Sequence, residues 1–210
     1  MKKQYKILSI GIFTLMVISI MVLLNSQENE VNKSTKYIAS TAKVNASQDF
    51  KDLDTSAEFI VKGTKDHVME RILNKTSEGE VINYGTKSVI KINKVYKTAD
   101  ENITEGSQII VQENGAIEET EDGTVIYGVE GYQLMNENEE YLLFLTKSLT
   151  DPDIYFIKGV YYGKVPLKNA DKIQSVDEAS PESLQYMGES AKSSRVLDQI
   201  FSDALNKYKD

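Results

Sequence analysis

EEYLLFLTKS, residues 139–148, decides how the chain folds. Five apolar residues, Tyr141 to Leu145, stand without interruption between a pair of glutamates and a lysine. A half-buried strand would alternate apolar with polar, and this run does not, so it reads as a strand covered on both faces. Two different partners must then supply the two faces.

Those partners are the barrel interior on one face and the covering C-terminal helix on the other. AEFIVKGT, residues 57–64, and TKSVIKINKVYK, residues 86–97, carry period-two patterns. Ser88, Ile90 and Ile92 share one face while Val95 falls on the other parity, which predicts a bulge near Asn93-Lys94 and a long, bent strand. Gly63 marks a point of curvature or close approach. SQIIVQE, TVIYGVE, DIYFIKG and VYYGKVPL add short runs rich in β-branched and aromatic residues. Turn signals at Glu105-Gly106, Asn114-Gly115, Asp122-Gly123 and Asp151-Pro152-Asp153 separate them. Residues 66–76 fit a helix or a strand; strand continuation into a hairpin through Ser77-Glu78-Gly79 is preferred.

The C-terminus changes period. Val196, Leu197, Ile200, Phe201, Ala204, Leu205 and Tyr208 form one stripe at helical spacing, predicting an amphipathic helix over about residues 190–208 that packs on the domain. Near residue 47 a short helix is expected, with Ser47 as N-cap and Phe50 and Leu53 on one face. The expected fold is mainly β with flanking helices: an OB-like small β-barrel spanning residues 47–210, closed by the C-terminal helix.

The first 24 residues are of another kind. Lys2, Lys3 and Lys6 precede 18 uncharged positions, residues 7–24. At a rise of about 1.5 Å per residue this run is about 27 Å long, close to the hydrocarbon thickness of a bilayer. No small-x-small pattern follows, which favours an uncleaved transmembrane anchor with its lysines on the cytoplasmic side and the domain outside; secretion after signal cleavage is the alternative. Residues 25–46 are polar, with Val31, Tyr37, Ile38 and Val44 their sizeable apolar side chains, and read as a tether. The expected location is the cell membrane, crossed once.

Removing three lysines from a chain of net charge −8 leaves −11 outside the membrane. Nucleic acid is a poor partner for such a surface, because phosphate contacts draw on lysine and arginine. The sequence has no cysteine, so disulfides and thiolate chemistry are excluded. Its one histidine, His67, cannot build a histidine triad or a multi-histidine zinc site and reads as a solvated surface residue.

Two groups of residues are candidates for a site. Glu113, Glu118, Glu119, Glu121 and Asp122 make the densest acidic run, and calcium needs about six to eight oxygen ligands. An EF-hand alignment fails because Val129 falls at its twelfth position. Asp122-Gly123 is itself a turn signal, so the run reads as a solvated hairpin tip, with Glu119 and Asp122 the residues to hold a calcium ion if one binds. Tyr155, Tyr161 and Tyr162, with Phe156 between, could form an aromatic platform for a sugar or peptide. Alternation puts Tyr155 opposite Phe156 and Tyr161 opposite Tyr162, so at least two of the four should be core.

The order AEFIVKGT, KINKVYKT, ITEGSQIIVQENG, EGYQL with EEYLLFLT, and YYGKVPL resembles bacterial exported domains similar to the netrin-like fold shared with tissue inhibitors of metalloproteinases. The resemblance covers about residues 50–168. It implies a five-stranded OB-type barrel with flanking helices. In that family an N-terminal cysteine chelates the protease zinc; with no cysteine here, the resemblance implies the scaffold without that activity. The expected function is a non-catalytic, membrane-anchored extracellular binding or accessory module whose partner is a protein or a glycan. The alternatives are a protease-directed inhibitor and an enzyme working through carboxylates or tyrosine.

Overall fold

The computed structural model describes residues 34–40, 47–129, 132–167 and 191–208. The expected membrane segment, residues 1–24, lies outside them; among the described residues no helix is long and apolar enough to cross a membrane. From Thr35 onward the chain forms one unit of nine strands and two helices among the described residues.

Strand β2 (Phe59–Lys75) and strand β3 (Val81–Lys97) are a hairpin of unusual length, 17 residues each. Gly79, at φ 88°, makes the turn, so residues 66–75 are strand as preferred. β3 also pairs with β4 (Gln108–Glu113), β4 in parallel with β8 (Ile154–Ile157), and β8 with β7 (Glu140–Lys147). β7 pairs with β2 on its other side, so the pairing passes β2–β3–β4–β8–β7 and returns to β2. β9 (Lys164–Pro166) extends this six-stranded sheet beside β7.

Register shifts bend the hairpin. One falls between Lys62 and Gly63, which pair with Lys94 and Ile92 and leave Asn93 out of the ladder, at the bulge read from parity. Gly63 is needed there: a Cβ on it would stand 2.6 Å from the Ile90 Cγ2 methyl. β2 pairs with β7 only over Phe59–Thr64, and β3 with β4 only over Thr86–Lys91. The distal part of the hairpin therefore continues as a two-stranded ribbon.

The run at residues 141–145 has two covered faces, as its composition requires. Leu143 and Leu145 belong to one apolar cluster with Val61, Ile90, Val111 and Ile157, one or more side chains from each strand of the cycle. Leu142 and Phe144 belong to a second cluster with Leu53, Ile200, Phe201 and Ala204. These last come from helix α1 (Phe50–Ser56) and helix α2 (Ala191–Lys207). The Phe144 ring meets Phe50 and Tyr208 edge-on, at centroid distances of 6.1 and 5.9 Å.

Some local expectations are corrected. Asp49, not Ser47, caps α1, its carboxylate accepting from the Asp52 amide at 2.8 Å; Ser47 is buried two residues earlier. The far end of α1 is closed by Lys97, whose Nζ donates to the carbonyls of Asp54 at 3.1 Å and Thr55 at 3.2 Å. Ser34–Ser40, inside the polar stretch read as tether, is strand β1. It joins a second sheet, ordered β1–β6–β5, with β5 (Gly115–Thr120) and β6 (Gly123–Val129). A sheet edge offers hydrogen bonds to a backbone whatever its side chains are, so a polar segment can be ordered by it. VYYGKVPL is strand only in its last part; residues 158–163 turn, with Gly159 and Val160 both at φ 64°.

Candidate functional site

Sequence parity places a charged residue at the end of each of two core-facing rows. Phe59, Val61, Gly63 and Lys65 alternate inward along β2, and Ile109, Val111 and Glu113 do so along β4. Lys65 and Glu113 are accordingly buried, Glu113 with no exposed surface at all. Their side chains meet, with Lys65 Nζ 3.0 Å from Glu113 Oε1.

The Glu113 carboxylate is saturated. Oε1 accepts from Lys65 and from the Ser88 hydroxyl at 2.7 Å; Oε2 accepts from the Tyr132 hydroxyl at 2.9 Å and the Met135 amide at 2.7 Å. A carboxylate has about four acceptor positions, and all are used. Lys65 Nζ also donates to the Met135 carbonyl at 2.7 Å. An irregular segment, Tyr132 to Asn138, is thus held by side chains of β2 and β4. Burial, with the neighbouring Glu113 charge, drives the Tyr132 phenol well above its ordinary range.

A second buried ammonium stands nearby. Lys164 of β9 donates to the Gln133 carbonyl and lies 4.2 Å from the centre of the Tyr132 ring. Burial pulls its pKa down to about 8; the Glu113 charge acts upward and the Lys65 charge downward. Of two buried cations, Lys65 is bonded to the one buried carboxylate, while Lys164 feels its charge and is held by a backbone carbonyl and a ring face.

The residues singled out from sequence fall elsewhere. Glu119 and Asp122 are exposed at the β5–β6 hairpin, where Glu119 accepts from Thr124 Oγ1 at 3.0 Å and Asp122 sits in the turn before Gly123. Glu118 is engaged by Lys75 of β2 and by the Tyr127 hydroxyl at 2.9 Å. Glu113 leaves this acidic run for the core, a correction to its reading as part of a solvated tip. Among the described residues no three of His, Asp and Glu gather into a set that could hold a metal ion.

Tyr155 and Tyr162 are buried in different clusters, Tyr155 against Phe59 at 5.1 Å in the first and Tyr162 beside α2 in the second. Tyr161 is half-buried and stacks on Tyr162 at 4.7 Å, because residues 158–163 turn and do not alternate. The Tyr155 hydroxyl reaches toward Asp100, 3.5 Å away. The Lys147 ammonium, 2.9 Å from Asp100, and the Asn102 amide hold that carboxyl down to about 2. His67 is exposed, beside Asp66.

Lys65, Ser88, Tyr132 and Lys164 were not singled out from sequence. For Lys65, Ser88 and Glu113 the signal is strand parity, which continues the core face through a charged or hydroxyl residue. No protein-family model and no curated protein matches the chain.

Proposed function

We propose that the chain is a non-catalytic, membrane-anchored binding or accessory module of the cell surface, whose domain is a small OB-type barrel. Five strands paired in a cycle, with one parallel pair, support the barrel reading. The buried carboxylate of Glu113 is consumed internally, by four donors.

The observation that carries the binding reading is the ribbon. Beyond its pairing with β7, β2 projects Met69, 56% exposed, and beyond its pairing with β4, β3 projects Ile82, 68% exposed. Both lie at register shifts, Met69 between Val68 and Glu70, and Ile82 where Lys75 pairs with Val81. Bulges re-aim side chains, and these two outward-turned apolar groups are the hairpin's candidate contacts with a partner. A protein or a glycan with an apolar face is the partner class.

Affinity capture from envelope extract tests this, comparing the exported part of the wild type with a Met69→Asp/Ile82→Asp variant. A partner retained by the wild type and lost from the variant, at equal unfolding temperature, is expected. The same partner on both proteins, or none on either, defeats the reading.

A further inference from the structure

The segment from Tyr132 to Asn138, joining β6 to β7, has no strand ladder of its own. Tyr132 and Met135 are buried while Gln133 and Asn136 to Asn138 are exposed. Its backbone is fastened through groups of other elements: Met135 by Glu113 and Lys65, Asn136 by the Tyr141 hydroxyl at 2.9 Å, Asn138 by the Lys65 carbonyl at 2.8 Å, and Gln133 by Lys164. Such a segment can leave without unzipping a sheet.

We propose that residues 132–138 are a strap, and that closing it over the Glu113 cluster expels a proton from Lys164 to solvent. The geometry supplies the coupling. With the strap shut, the Lys164 ammonium is enclosed with a second ammonium, Lys65 from β2, and the single carboxylate of Glu113 from β4. The strap's Tyr132 lies beneath it, and Tyr141 of β7 is turned to Glu139. With the strap open, water solvates the ammonium and its charge costs little.

The proton balance sets the direction. Closed, Lys164 titrates near 8; solvated, it returns toward its ordinary value of 10.5. The open state therefore binds more protons between these values, and raising the pH favours closure. The strap is tightest in alkali and loosens toward neutral pH.

Hydrogen exchange of the full chain in detergent, corrected for intrinsic exchange rates, reads the opening directly. Between about pH 7 and about pH 9.5, the opening constant of strap amides should fall about tenfold or more. At each pH strap amides should open more readily than core amides around Leu143, because a strap that leaves on its own exchanges without global unfolding. In Lys164→Gln, which keeps a donor for the Gln133 carbonyl without the charge, strap opening should be flat with pH. A flat wild-type profile, an unchanged slope in Lys164→Gln, or strap amides that open no more readily than the core amides would each overturn the strap. The wild-type profile decides by itself if the variant does not fold.

Discussion

Lys65 Nζ lies 3.0 Å from Glu113 Oε1, with both side chains shut away from water, at the point where the inward rows of β2 and β4 end. Neutralising Glu113 would strand the buried ammonium of Lys65 that is bonded to it and remove the carboxylate charge that favours the ammonium of Lys164. Removal of one partner from a buried pair typically costs about 3 to 5 kcal/mol. Glu113→Gln should lose stability on that scale in urea unfolding, although it is nearly isosteric; a loss below about 1 kcal/mol would show that water already reaches the pair.

Lys164 makes stability depend on alkaline pH in an uncommon direction. Its folded pKa, near 8, lies below the unfolded value of 10.5, so the unfolded chain holds more protons between the two. Stability should rise with pH across that window, by an amount of order 3 kcal/mol if the whole shift is expressed. Below about pH 8 the cost of burying the charge is present in full. Denaturant midpoints measured from neutral to alkaline pH should show the rise in the wild type and its absence in Lys164→Gln.

Phe144 is fully buried between the two helices and β2, against Phe50 and Tyr208. Phe144→Ala should cost about 3 to 5 kcal/mol, a large share of an ordinary domain's stability. An unchanged thermal unfolding curve would contradict its place in the second core.

At Gly63 the obstacle is steric. A methyl group there meets Ile90 Cγ2 at 2.6 Å and the Lys91 carbonyl oxygen at 3.1 Å. Gly63→Ala should destabilise by about 1 to 3 kcal/mol, as overpacked cores do. Ile90→Leu, which has no methyl on Cβ, should recover part of that loss in the double variant; strict additivity would place the strain elsewhere.

Asp54 ties the helices together, accepting from Lys207 Nζ at 2.7 Å and from the Tyr208 hydroxyl. Burial raises its pKa, yet the bonds from Lys207 and Tyr208 and the charges of Lys207 and Lys97 together hold it below the usual 3.8. Its contribution is complete above that value and fades as pH falls below it. Asp54→Ala should cost about 2 kcal/mol near neutral pH and little at the acid end, measured by urea unfolding at each pH.

Residues 66–76 fitted helix and strand alike in sequence; what the sequence by itself determined is the two-faced strand at residues 141–145, the bulge near Asn93 and the apolar stripe of α2. All of these follow from local periodicity, which the backbone geometry of strands and helices imposes directly. The inward direction of Lys65 and Glu113 was also written there, in parity, but charge argued against burial until each had the other as partner. Only the tertiary structure brought together β2, β4 and β9, far apart in sequence, so that two lysines and one glutamate could share a dry site. The same is true of β1, whose polar residues acquire order from the edge of β6, and of Tyr155 and Tyr162, parted by a turn into separate cores. Periodicity is a property of neighbours along the chain; a buried charge is tolerable only through neighbours across it.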